Sequence, residues 1–209
     1  MDRSFLPDVL GVFVKAPVPG RVKTRLAAEV GVHRAAEIYR GLGRRVVSAC
    51  VGTGHDTVVW FAPPLAGPAV CEWLKDLTVA AYRSQVSGSL GARLDAAFRR
   101  HFHEGARRVI IIGSDCPGVD AGLVSRALGM LDQHDLVLGP AHDGGYYLIG
   151  LRAPAPQLFQ DIAWSTEAVL EQTVARARQL GLGAAILPML RDVDSASDAR
   201  ALGVLPTLL

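Results

Sequence analysis

The sequence predicts one α/β domain: a mostly parallel sheet flanked by helices. Three observations carry that reading. Short apolar runs alternate with longer segments of helical period, the pattern of strands joined by crossover helices. The run RVIIIG at 108–113 is apolar without alternation, as a central strand covered on both faces must be. A length of 209 residues, half of them apolar, suffices for one sizeable core, and no repeat or low-complexity linker divides residues 1–209.

The elements follow in order. VLGVFVKA (9–16) reads as a buried strand, and the polar KAPVPGRVKTRL after it leads into a short helix closed by Gly31. The segment 33–50 sets Ala35, Ile38, Tyr39, Leu42, Val46 and Ala49 on one helical stripe. DTVVWFAP (56–63) is a second strand, the Pro-rich 62–69 a loop, and LTVAAY (77–82) a third strand. A helix over 90–106 joins Leu90, Leu94, Ala97 and Phe98 on one face, with Gly105 at its C-terminal cap. After RVIIIG come a helix (121–133), a strand (135–141) and the run YYLIGL, an antiparallel or irregular insertion beside DLVLGPA. A helix at 165–181, a strand near 184–190 and a short helix from Ser195 complete the chain.

Composition excludes several functions. A net charge of +2, from 22 basic and 20 acidic residues, leaves no footprint for nucleic acid or a membrane surface. Cys50, Cys71 and Cys116 match neither a disulfide framework nor zinc spacing. The apolar run in MDRSFLPDVLGVFVKAP is too short to span a membrane and lacks a signal-peptide cleavage pattern. A soluble cytoplasmic protein is expected. Oligomeric state has no signature here.

In open α/β sheets, ligands bind outside the carboxyl ends of the strands. That rule selects four polar stretches. KAPVPGRVKTRL gathers Lys15, Arg21, Lys23 and Arg25 around a Pro19-Gly20 turn ahead of a helix, a combination suited to phosphate oxygens. It is not a P-loop, and its alternative is a plain solvated loop. IIIGSDCPG (Gly113, Ser114, Asp115) ends a buried strand in a carboxylate, where a hard cation can bridge to phosphate; a turn or cap is the alternative. In RDVDSASD, Ser195 and Asp198 form a capping box, while Asp192 and Asp194 alternate and point to opposite sides. Asp194 is favoured to meet Asp115, with Asp192 in reserve.

The fourth stretch, GPAHDGGYYLIGL, has two readings. Asp143-Gly144 is a hairpin-turn dipeptide. Alternatively, Gly144 and Gly145 let a ligand approach the backbone, with Asp143 and Tyr146 beside it. The polar residues at the other strand ends tip the reading toward a site. His101 and His103 diverge on their helix and cannot chelate together. Ser165 or Thr166 reads as a helix cap, Cys116 as packing and His142 as a turn residue.

The order of these motifs resembles a bacterial family of GT-A-type transferases, the radical-SAM/selenodomain-associated transferases or arsenosugar-biosynthesis glycosyltransferases. The likeness is carried by F-x-K-x-P-x-x-G-x-V-K-T-R-L, L-G-x-R-L, G-S-D-C-P, G-P-A-x-D-G-G-Y-Y-L-I-G-L, W-S and D-V-D-S-x-x-D, from Phe13 to about Asp198. More distantly, the chain is similar to 2-phospho-lactate guanylyltransferase. Both likenesses imply the nucleotide-diphospho-sugar transferase (GT-A-like) fold and a nucleotide at the first loop. They also imply a divalent cation, Mg²⁺ or Mn²⁺, held by a strand-end and a late aspartate. On this chain those residues are Lys23, Arg25, Asp115 and Asp194. The chain departs from the wider fold in lacking G-G-x-G-x-R and a D-x-D triplet after the central strand.

The resemblance leaves two reactions, with glycosyl transfer from a nucleoside diphosphate sugar placed first. The second is nucleotidyl transfer from a triphosphate to a phosphorylated small acceptor. In either, Lys23 and Arg25 neutralise phosphate charge and Asp143 or a neighbour positions the acceptor. A non-catalytic nucleotide-binding module is the third reading, disfavoured because Asp115, Asp143, Asp192 and Asp194 are all retained.

Overall fold

The computed structural model describes residues 7–205. The first six residues, part of the leader reading, and the last four of the 1–209 domain lie outside it. Seven strands form one sheet: β1 (Asp8–Lys15), β2 (Asp56–Ala62), β3 (Ala81–Ser84), β4 (Arg108–Gly113), β5 (Leu136–Pro140), β6 (Tyr146–Leu151) and β7 (Ala184–Ile186). Their order across it is β3-β2-β1-β4-β6-β5-β7. Every pairing is parallel except those of β6, which runs antiparallel to both β4 and β5. YYLIGL is thus the antiparallel insertion.

Alternate residues of β4 serve opposite faces, which is why its sequence shows no polar alternation. Ile110 and Ile112 pack with α2 (Val32–Val51), α3 (Gly67–Leu74) and α5 (Ala121–Met130), through Val46, Val47, Trp73, Leu74 and Val124. Val109 and Ile111 pack with α4 (Leu90–His103) and α6 (Val169–Gln179), through Leu94, Phe98 and Ala177. Burying each such side chain is worth about 1.5–3 kcal/mol. A small third cluster ties α1 (Thr24–Val30) and α2 to α7 (Ala196–Ala201) through Leu26, Leu42 and Ala199.

Several local expectations hold in detail. Gly31 caps α1 at φ 85°, and Gly105 follows α4 at φ 91°, with Ala106 donating back to the His101 carbonyl at 3.0 Å. The Ser195–Asp198 capping box is fully formed.

Four segments differ. The expected loop 62–69 contains a 3₁₀ turn (Pro64–Ala66) and the start of α3. Gly67 and Pro68 disguise a helix start, where proline is tolerated; the buried Val70, Trp73 and Leu74 were the helical signal. Trp73 lies where Gly43 leaves room, since a Cβ there would stand 2.6 Å from the indole. The third strand lies at Ala81–Ser84, not 77–82, because its partners are Val58–Phe61. The helix expected from 165 begins at Val169, and the last strand ends at Ile186, leaving one isolated bridge between Ala141 and Leu190.

Candidate active site

A cavity of about 690 Å³ opens at the carboxyl ends of β1 and β4. β1 brings Phe13, Val14 and Lys15 to it, and the loop and α1 bring Val22, Lys23, Thr24 and Arg25. From β4 come Gly113, Ser114 and Asp115, while Asp194 enters ahead of α7. The far wall is Gln85 after β3, the first turn of α4 and Trp164–Ser165 ahead of α6.

Tyr39 of α2 ties the two central strand ends together. Its hydroxyl accepts a hydrogen bond from the Lys15 N–H at 2.7 Å and is bonded to Ser114 Oγ at 2.9 Å. Burial, then the Asp115 charge, pushes this hydroxyl above the ordinary phenol range, so it remains protonated. The floor of the cavity is thereby fixed before any ligand arrives.

Lys23 is the centre of the site. Its backbone is left-handed at φ 47°, ψ 50°, and its side chain is only 4% exposed. The ammonium lies 3.1 Å from Asp115 Oδ2 and donates to Asp194 Oδ1 at 3.0 Å. Burial alone would depress this amine, but Asp115 and Asp194 outweigh it and hold the group above its usual value. The alternative of a plain solvated loop therefore fails for Lys23, because two carboxylates hold it inward. Arg25 is 84% exposed, with Nη1 3.7 Å from Asp194 Oδ2.

Asp192 stands apart from the cavity lining. Burial, then the charges of Asp194 and Asp143, raise its carboxyl above the usual carboxylate range. Among the described residues, no three His, Cys, Asp or Glu side chains are grouped to hold a metal ion. Asp115 Oδ1 is nevertheless a buried acceptor with no hydrogen-bond partner among them. Two carboxylates completed by water are a common way to hold Mg²⁺. Asp115 and Asp194 therefore fit a divalent cation, provided that the ammonium between them moves.

The DGG stretch is a hairpin. β5 and β6 pair antiparallel, and Ala141 N–H donates to the Gly145 carbonyl at 3.0 Å. Asp143 Oδ1 accepts the Gly145 N–H at 2.9 Å, an Asx turn. Gly144 has φ 83°, and a Cβ there would stand 2.2 Å from the Glu167 carbonyl oxygen. Its vacant space is filled by the chain itself. Tyr146 packs edge-on against Trp164, and its buried hydroxyl is pushed above the phenol range. Gly20 serves a turn at φ 76°. Neither these residues nor Asp143 line the cavity.

Other readings resolve plainly. Thr166 Oγ1 donates to the Ala163 carbonyl at 2.7 Å and accepts from Ala168, so it closes a turn rather than capping α6. Ser165, at φ 68°, lines the cavity. Cys116 is 2% exposed and its thiol is raised by burial, consistent with packing. His101 is equally buried and accepts the Trp60 indole N–H at 3.0 Å.

Tyr39, Gln85, Ser89, Arg93 and Trp164 were missed as cavity residues. Arg93 and Trp164 sit in L-G-x-R-L and W-S, and the two motifs meet at Gly91, where a Cβ would stand 2.7 Å from the Trp164 indole. Gln85 follows the strand that the sequence reading misplaced. With β3 at Ala81–Ser84, the strand-end rule selects it.

The family described as "Uncharacterized protein conserved in bacteria (DUF2064)" matches residues 21–166. The 3-phospho-D-glycerate guanylyltransferase of Phenylobacterium zucineum (strain HLK1) is 32% identical over 188 residues, covering 85% of this chain and 82% of its own. A candidate nucleotide-diphospho-sugar transferase from Desulfovibrio desulfuricans G20 superposes with a TM-score of 0.89. It is 34% identical, over 95% of this chain and 87% of its own. The manganese complex of Rv0371c from Mycobacterium tuberculosis H37Rv gives 0.58 at 18% identity, over 94% and 98%, a likeness of fold alone. No helix among the described residues is long and apolar enough to cross a membrane. The chain belongs to the DUF2064 family and is a transferase with the nucleotide-diphospho-sugar transferase fold.

Proposed function

We propose that the protein is a metal-dependent nucleotidyltransferase, joining a nucleoside triphosphate to a phosphorylated small-molecule acceptor. One observation carries the site assignment: Lys23, Asp115 and Asp194 converge at 3.0–3.1 Å on the rim of a nucleotide-sized cavity. The guanylyltransferase relative is what favours nucleotidyl over glycosyl transfer, reversing the order taken from the sequence.

In this reading an acceptor phosphate oxygen attacks the α-phosphorus and pyrophosphate leaves with the bonding pair. Lys15, Lys23 and Arg25 neutralise the charge that accumulates on the leaving group. Gly113 and Ser114, held by Tyr39, form the floor against which the phosphates are set. Asp115 and Asp194 would hold Mg²⁺ or Mn²⁺; that cation supplies further neutralisation of phosphate charge. The manganese bound by Rv0371c supports the choice of cation. The hairpin residues Asp143, Gly144, Gly145 and Tyr146 contribute by holding the acceptor side of the site in shape.

The deciding experiment supplies triphosphates or sugar nucleotides with Mn²⁺ and a panel of phosphorylated acids, 3-phospho-D-glycerate first. Pyrophosphate release that requires a phosphorylated acceptor is expected. Free nucleoside diphosphate from a sugar nucleotide would favour glycosyl transfer instead. Nucleotide binding with no turnover of either donor would leave a binding module.

A further inference from the structure

The ammonium of Lys23 occupies the position between the two carboxylates where a cation would bind. Three features mark this as a built arrangement. The backbone at Lys23 is left-handed, a conformation that non-glycine residues seldom take. The side chain is 4% exposed while both partners stay near 40%, so the amine is enclosed and the carboxylates remain open to the cavity. Finally, compensation is incomplete. Lys23 serves both carboxylates while the exposed Arg25 reaches only Asp194, at 3.7 Å, and Asp115 Oδ1 has no partner among the described residues.

Two cations cannot share these oxygens without strong mutual repulsion. A lysine is a compact charge on a flexible stem and can leave such a position without moving the backbone. We propose that Lys23 and a divalent cation exclude one another between Asp115 and Asp194. The ammonium is the resting counter-ion, and an entering cation displaces it into the cavity. Lys15 and Arg25 already border that cavity, so the released charge adds to the set that faces phosphate. This last consequence rests on the nucleotide reading above; the exchange itself does not. It predicts an order of events: metal and nucleotide bind together well and metal alone binds poorly, because only phosphate gives the displaced ammonium a new partner.

The test measures Mn²⁺ affinity from the electron paramagnetic resonance signal of the free ion, without nucleotide. Lys23→Met keeps the apolar stem and removes the charge. It is expected to bind Mn²⁺ about tenfold or more tightly than the wild type. Asp115→Asn should abolish that gain. Equal or weaker Mn²⁺ binding in a folded Lys23→Met would overturn the proposal. Should that variant not fold, the wild type gives a second measurement: amine acylation at Lys23, located by mass spectrometry. Labelling should be slow in the free protein and rise severalfold with saturating Mg²⁺; unchanged labelling overturns the exchange. If Lys23→Met gains Mn²⁺ affinity but the wild type binds no triphosphate or sugar nucleotide, the exchange stands and the nucleotide reading falls.

Discussion

Replacing Gly144 with alanine separates the two readings of the DGG stretch. At φ 83° an alanine sits in the left-handed region, a cost of about 1–2 kcal/mol. Its Cβ would stand 2.2 Å from the Glu167 carbonyl oxygen, a backbone atom that moves only with its segment. That movement also threatens the Leu170 N–H bond to the Gly144 carbonyl at 2.9 Å, a further contribution of about 1 kcal/mol. The expected destabilisation is about 2–4 kcal/mol, or a melting temperature lowered by roughly 5–15 °C in a chain of this size. At Gly145 the first contact is the end of the Asp143 side chain at 3.1 Å, so Gly145→Ala should cost under about 1 kcal/mol. Asp143→Asn retains the acceptor oxygen of the turn and should remain folded. The assay is denaturant unfolding beside nucleotide affinity for all three variants. If Gly144→Ala keeps its stability and loses nucleotide binding, the packing argument fails and the glycine belongs to the ligand.

Three other predictions concern charge. Asp115→Asn should make nucleotide affinity nearly insensitive to Mn²⁺, measured by titration with and without the ion; an unchanged metal response removes Asp115 from the cation site. Arg25→Ala alters an exposed side chain, so its stability should stay within about 0.5 kcal/mol while binding falls by roughly 1.5–3 kcal/mol. Early melting with normal affinity would make Arg25 structural. His101 is lowered to about 4, chiefly by burial and then by Arg83. Above the ordinary value of 6.5 both folded and unfolded forms are neutral; as pH falls from there toward 4, only the unfolded chain gains the proton. Stability worth about 3 kcal/mol should be lost across that window. His101→Gln, whose amide oxygen can still accept from Trp60, should flatten the dependence, and an unaltered pH profile of unfolding would contradict this.

The sheet was legible because burial on both faces writes itself into runs such as RVIIIG, whatever else surrounds them. Lys15, Lys23, Arg25, Ser114 and Asp115 were legible as cavity residues for a related reason: they follow those runs directly. What escaped lay where one residue's environment is set by a distant one. Nothing in KAPVPGRVKTRL distinguishes Lys23, which is buried, from Arg25, which is exposed; the difference is made by Asp115 and Asp194. Gly144 looked like room for a ligand because its neighbour, Glu167, belongs to another segment. Gln85 was lost to a strand misplaced by a few residues, and α3 to a proline at its start.

The partners of Lys23 also bear on how the molecule assembles. The hydrogen bond to Asp194 spans 171 residues, and β1 is paired with β4 about a hundred residues away. Contacts of such separation form late, because the intervening chain must first be ordered. During synthesis, the loop bearing Lys23 emerges early and waits for both carboxylates. Until Asp194 arrives, the ammonium has at most half its compensation and little reason to turn inward. The ion pair is therefore a report that the whole sheet has closed, and a chain stalled part-way would have strands and helices but no site.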